Sequence, residues 1–119
     1  MTRHVLAYAP LAVWAAGVLL VGSVHIATAP LPSGSDKAAH FIMYGIGGAL
    51  VAVARRAVGR GAAWPGLLFV AFIAAVDELH QLHVPGRQAD PLDWVADIAG
   101  ALVLHAIAGR LLGREIETG

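Results

Sequence analysis

Between Val5 and Ile26 the chain contains no Asp, Glu, Lys or Arg. A helix needs roughly 20 apolar residues to cross a hydrocarbon core, and this stretch supplies them. Three further apolar blocks follow, so the excess cannot be hidden in one small water-soluble core. Of the 119 residues 58% are hydrophobic, with a mean hydropathy of +0.71, against about 45–50% apolar in soluble domains. The expected fold is an all-α membrane protein, a bundle of about four transmembrane helices forming one domain over residues 1–119. A signal peptide is the rival for the first block, because Arg3 leads it and Ala27-Thr28-Ala29 looks like a cleavage site. The apolar run is too long for an ordinary signal core and Pro30 follows the supposed cut, which favours a retained span.

Breakers set the remaining boundaries. Pro30, Pro32 and Gly34 interrupt any helix after block one. Ser35 is a suitable N-cap and Asp36 a suitable first-turn anion for a second helix reaching about residue 58. Its Gly45, Gly47 and Gly48 would weaken a helix in water but permit close helix approach in a membrane. Trp64-Pro65 opens a third helix to about residue 84, with Pro at the first helical position and Trp at the interface. After Pro85-Gly86, Asp90-Pro91 starts a fourth helix reaching about Leu112, leaving Gly113 to Gly119 as a short polar tail. The four helices are therefore expected at about 5–26, 36–58, 65–84 and 91–112.

Charge partitions along this frame. With four spans, Arg3, Arg55, Arg56, Arg60, Arg110 and Arg114 share one side, and Lys37 and Arg87 the other. The positive-inside rule makes both termini cytoplasmic. Six acids, Asp36, Asp77, Glu78, Asp90, Asp93 and Asp97, lie toward the outer face; Glu115 and Glu117 lie inside. Zero net charge gives no reason to expect a nucleic-acid partner. The absence of Cys removes disulfides, thiol nucleophiles and thiolate metal sites.

The outer charges fall into register. On the second helix Asp36, His40, Tyr44 and Gly47 form one stripe, with Lys37 beside it. On the third, Asp77, Glu78, His80 and Gln81 cover an arc of roughly 160°. On the fourth, Asp93 and Asp97 are one turn apart on a face continued by Gly100. His40 falls roughly 6 Å and Asp97 roughly 9 Å below the outer interface, and Asp77 roughly 18 Å up from Pro65. Ionisable groups in a bilayer usually face a bundle interior or a wet cavity. Three helices thus bring polar faces to one depth, where they are expected to line an outward-facing pocket.

Several of these residues have plainer explanations. Asp90, Asp36 and Asp93 suit helix starts, and His80 and His83 suit a helix end. A structural hydrogen bond explains His40 about as well as chemistry does. His25, His105 and the tryptophans read as packing or interfacial residues. Asp77 and Glu78 resist such readings, because a helix C-terminus opposes anions.

Two stretches carry a family resemblance. They are Asp36-Lys37-Ala38-Ala39-His40-Phe41-Ile42-Met43-Tyr44 and Asp77-Glu78-Leu79-His80-Gln81-Leu82-His83-Val84-Pro85-Gly86-Arg87, the latter continued by Asp93, Asp97 and Gly100. Together they resemble the VanZ-like family of small bacterial membrane proteins, over about two thirds of the chain. In that family position 97 often carries Asn, and a bulky apolar or aromatic residue is usual at position 83. The family is named for a protein that lowers susceptibility to the glycopeptide teicoplanin. The resemblance thus implies the bacterial cytoplasmic membrane and a cell-envelope role linked to antibiotic resistance, but no reaction.

Two functions compete. In the first, the pocket binds or processes a membrane lipid or lipid-linked cell-wall intermediate. Glu78, Asp93 and His40 are then the candidate catalytic groups, and Lys37 and Arg87 hold phosphate. Asp36, Tyr44, Asp77, His80, Gln81 and Asp97 line the substrate. The carboxylates could do acid–base work or bind a bridging divalent cation, although no metal-ligand spacing is diagnostic. In the second, Lys37 and Arg87 pair with Asp77, Glu78 and Asp93 to hold a non-catalytic scaffold together. A proton-coupled transporter is weaker, since no inverted repeat is visible. The sequence fixes neither catalysis nor oligomeric state.

Overall fold

The structure, a computed structural model, describes residues 2–23, 35–59, 61–83 and 91–118, and excludes the side chains of residues 23, 35, 36 and 114–118. It contains four helices: α1 (Thr2–Ser23), α2 (Ser35–Ala57), α3 (Trp64–Gln81) and α4 (Pro91–Thr118). Among the described residues there is no strand. The N-cap role expected of Ser35 concerns a side chain outside the described set.

Three boundaries differ from the sequence reading for physical reasons. α1 begins at Thr2, because His4 and Arg3 are tolerated in a helix before the apolar run starts. α3 ends at Gln81, and Leu82 and His83 form a turn closed by their amides on Leu79 and His80 carbonyls. α4 does not stop at Leu112 but continues to Thr118, so the expected polar tail is helical. Gly113 costs only about 1 kcal/mol, and the Arg and Glu residues beyond it are good helix formers.

α1, α2 and α4 each contain a segment long and apolar enough to cross a membrane: Thr2–Gly22, Lys37–Ala57 and Pro91–Gly113. α3 falls short because its last two turns carry Asp77, Glu78, His80 and Gln81. Its 18 residues still extend about 27 Å, close to the thickness of a ~30 Å core. Surface chemistry agrees with lipid as the solvent. Leu6, Val13, Leu20, Ile42, Phe72, Leu79 and Leu102 are among many large apolar side chains facing outward. A water-soluble protein does not carry such continuous apolar surface.

Within the bundle α2 touches all three other helices, whereas α1 and α4 make no contact among the described residues. The most intimate pair is α2 with α4. They run parallel: Lys37 meets Asp93, His40 meets Asp97, and Arg56 meets Leu112. Glycine makes the approach possible. A Cβ at Gly48 would collide with the backbone of Ala101, and one at Gly100 with the backbone of Phe41. α1 and α3 also run parallel, with Tyr8 and Leu11 near Pro65 and Phe69 and Gly22 against the Asp77 carboxylate. The topology is therefore up-down-up-down.

α1 is held by an aromatic anchor. Trp14 Nε1–H donates to the Met43 carbonyl at 3.0 Å, and its ring meets Tyr44 edge-on at 5.5 Å. Gly47 lies beneath that ring, where a Cβ would clash with it. Leu11, Ala15, Val18, Val51, Val70, Ile73 and Ala74 complete the apolar core.

Arginines close the opposite end of the molecule from the acids. Arg3 Nε donates to the Ala57 carbonyl at 2.8 Å, Arg55 Nε to Gly61 at 2.6 Å, and Arg56 Nη1 to Leu112 at 3.0 Å. Cations here complement the C-terminal dipole of α2, and Arg3 satisfies its last carbonyl, that of Ala57.

Candidate functional site

Five polar or charged side chains are buried among the described residues: His40, Asp77, Gln81, Asp93 and Asp97. All lie toward one end of the bundle, on α2, α3 and α4. Helical periodicity puts them there: His40 and Tyr44 are one turn apart, as are Asp77 and Gln81, and Asp93 and Asp97.

His40 is the hub. Its Nδ1 shares a 2.7 Å hydrogen bond with Asp97 Oδ1. With Asp97 as the carboxylate, Nδ1–H is the donor. The other ring nitrogen, Nε2, then faces Asp93 Oδ2 at 3.9 Å. Asp93 in turn accepts from Lys37 Nζ at 3.2 Å. The two aspartates are nearly inaccessible, while the Lys37 side chain is 42% exposed. Lys37 therefore connects the buried network to the surface.

Tyr44 links this network to α3. Its ring lies parallel to the His40 imidazole, with centroids 6.4 Å apart, and its hydroxyl donates to Asp77 Oδ2 at 3.3 Å. The Asp77 carboxylate also abuts Gly22 on α1, where any larger residue would displace it. All four helices thus contribute to the surroundings of one polar chain running from Lys37 to Asp77.

Not every sequence candidate joins this chain. Lys37, His40, Tyr44, Asp77, Asp93 and Asp97 do, and Gln81 is buried one turn beyond Asp77 on the same face. Glu78 is half-buried, with its Oε2 shielded from solvent. It lines a groove of about 440 Å³ between α3 and α4 with Ala75, Leu79, Leu82, Pro91 and Trp94. Adjacent helical residues point about 100° apart, so Asp77 and Glu78 face different neighbours. His80 and His83 are exposed. The Asp36 side chain lies outside the described residues, as do Arg87, Asp90 and His25. Among the described residues, no group of three or more His, Asp or Glu side chains is positioned to hold a metal ion, and no metal ligand set is assigned.

His105, read as a packing residue, is a polar bridge instead. Its Nδ1–H donates to the Gly48 carbonyl at 3.0 Å, and its Nε2 lies 3.4 Å from Arg55 Nη1 as acceptor. The bridge spans α4 and α2 and sets the tautomer through its partners. Its one sequence signal was position: His105 sits on the α4 face continued from Asp97 and Ala101, the face that carries the glycine contacts.

The fold and this buried chain define a class: a small multi-pass membrane bundle whose polar side chains face inward near one end. Within that class, the chain belongs to the VanZ/LLP1 family, whose model matches residues 5–112. The match takes in α1 as well as the helices bearing the two motifs. Comparison with curated proteins and with solved structures gave no match.

Proposed function

We propose that the acid-rich end of the bundle binds the headgroup of a phosphate-bearing membrane lipid or lipid-linked cell-wall intermediate. The observation that supports this best is the position of Lys37. It is the half-exposed cation at the mouth of a network otherwise buried in a membrane protein. An incoming phosphate would compete with Asp93 for the ammonium and be drawn toward His40. Asp97 holds the imidazole so that Nε2, the nitrogen facing Asp93, serves as the acid or base at the headgroup. Tyr44 and Asp77 stiffen that arrangement from behind. Glu78 and its apolar groove lie on the neighbouring α3–α4 surface, where an acyl chain would run.

The proposal also takes the acidic end as extracytoplasmic and both termini as cytoplasmic, in the bacterial cytoplasmic membrane. The arginines gathered at the other end support this through the positive-inside rule. An outward headgroup site suits a cell-envelope role, of which lowered glycopeptide susceptibility is one form.

A second reading has its own support. The contacts Lys37–Asp93, His40–Asp97 and His40–Asp93 all join the two helices that pack most closely. They could act as clasps that fix the register of α2 on α4 in a non-catalytic scaffold.

Lipid retention separates the two readings. The chain would be extracted in a mild neutral detergent, and co-purifying lipids identified by mass spectrometry for wild type and Lys37→Gln. The headgroup reading expects a phosphate-bearing species enriched with wild type and depleted in the variant. Equal lipid content, together with restored stability in the charge-swapped pair Lys37→Asp and Asp93→Lys, would leave the scaffold reading standing.

A further inference from the structure

The arginine end holds a second feature that the acid-rich network does not use. Between the C-terminal halves of α2 and α4 lies a cavity of about 160 Å³, lined by Ala52, Arg55, Arg56, Gly109 and Leu112. At about 30 Å³ per water, it has room for roughly five waters or one tetrahedral headgroup. Two of its five lining residues, Arg55 and Arg56, bring guanidinium groups.

Contacts between α2, the following connection and α4 account for some of this chemistry. Arg56 Nη1 donates to Leu112, and Arg55 donates from Nε to Gly61 and from Nη1 to His105. A guanidinium carries five N–H donors, however, and these contacts use Nε–H and one N–H of Nη1, on two sides of the Arg55 group. The His105 bridge and the Gly61 carbonyl hold the group from those two sides. Arg55 is thereby pre-organised, with its remaining donors in a fixed plane beside the cavity. Fixed guanidinium planes suit the oxygens of a phosphate better than a mobile ammonium does. Gly109 leaves the α4 wall of the cavity open, with no atom within 4 Å of where its Cβ would stand.

Surrounding charge favours an anion. Arg3 and Arg110 are further exposed cations at this end. Glu115 and Glu117 lie on the last turns of α4, with side chains outside the described residues. The cavity sits where two membrane-crossing segments finish, so its natural neighbours are lipid headgroups. Basic cavities between transmembrane helices are suited to anionic headgroups.

We propose that the Arg55–Arg56 cavity is a binding site for the phosphate of an anionic membrane lipid, at the face opposite the acid-rich network. Its occupant bridges the ends of α2 and α4.

The test uses a photoreactive phosphatidylglycerol added to the purified full chain in neutral detergent, with cross-linked peptides mapped by mass spectrometry. Labelling is expected on residues 52–57 and 109–113, and unlabelled phosphatidylglycerol should displace it while phosphatidylcholine does not. Arg55→Gln with Arg56→Gln should weaken this labelling at least about tenfold. Arg3→Gln with Arg110→Gln removes the same charge away from the cavity and should change it by less than about twofold. Since Arg55 and Arg56 also tie α2 to α4 and to the Gly61 carbonyl, Gly109→Leu provides an independent variant. It fills the cavity, leaves both arginines intact and raises helix propensity, and it too should abolish labelling. Equal loss from both double variants, or full labelling of Gly109→Leu, would overturn the site. Displacement by inorganic phosphate at the same concentration as phosphatidylglycerol would overturn its assignment to a lipid.

Discussion

Gly100→Ala adds a single methyl group at the tightest point between α2 and α4. That Cβ would stand 2.8 Å from the carbonyl carbon of Phe41 and 2.9 Å from its Cα, and closer still to its carbonyl oxygen. Ordinary contact begins at about 3.4 Å, so the helices must separate by the order of 1 Å. The obstacle is backbone, which cannot rotate aside as a side chain would. Overpacking costs typically 1–3 kcal/mol, and the upper end applies here. Set against this, Ala replaces Gly in a helix with a gain of about 1 kcal/mol, so the expected net loss is about 1–2 kcal/mol. The same separation would stretch the 2.7 Å His40–Asp97 bond beyond hydrogen-bond length. Gly17→Ala is the control, since no atom lies within 4 Å of its Cβ position. It should be neutral or up to about 1 kcal/mol stabilising. Unfolding in mixed micelles, by titrating a denaturing detergent into a mild one and following helicity by circular dichroism, measures both. Equal stabilities for the two variants would refute the close α2–α4 approach from which the rest of the site geometry follows.

Three other joints are tested under the same titration. Trp14→Phe removes the bond to Met43 and part of the edge-on contact with Tyr44, and should cost about 1–2 kcal/mol. His105→Leu removes the bridge from Gly48 to Arg55 and should cost about 1–2 kcal/mol, whereas His105→Gln should recover part of that loss. Gly22→Val should cost about 1–3 kcal/mol by pushing the Asp77 carboxylate off α1, and Asp77→Ala introduced with it should cancel most of the added loss, a coupling read from the double-mutant cycle.

Four helices were legible because apolar blocks and Pro–Gly breaks are properties of the chain alone. So was the shared level of His40 and Asp97 along the bundle, since rise per residue needs no knowledge of neighbours. Close approach at Gly45 and Gly48 followed from residue size, and α4 does lie there. Rotation of each helix about its axis was less accessible. The sequence put Glu78 ahead of Asp77, and only packing against α1 and Tyr44 makes Asp77 the more deeply buried of the two. Trp14 was read as an anchor, but its bond to a backbone carbonyl on α2 depends on which helices are neighbours. His105 was passed over for the same reason: its partners are a backbone carbonyl and an arginine about fifty residues away, and neither leaves a local pattern. The extension of α4 past Leu112 was missed because polarity was taken as the end of a helix, when it marks the end of the apolar stretch.

The claim at the centre of this account is that the His40 network acts on an envelope lipid and does more than hold helices together. The most direct test compares total membrane lipids and lipid-linked cell-wall intermediates, by mass spectrometry, in bacterial cells expressing wild type or His40→Gln. Both must be present at matched levels in the membrane and show equal helicity after purification. The account predicts a phosphate-bearing species whose abundance changes with wild type and stays at the vector-control level with His40→Gln. Identical profiles for wild type, variant and vector would contradict it and leave Lys37, His40, Asp93 and Asp97 as a structural clasp between α2 and α4.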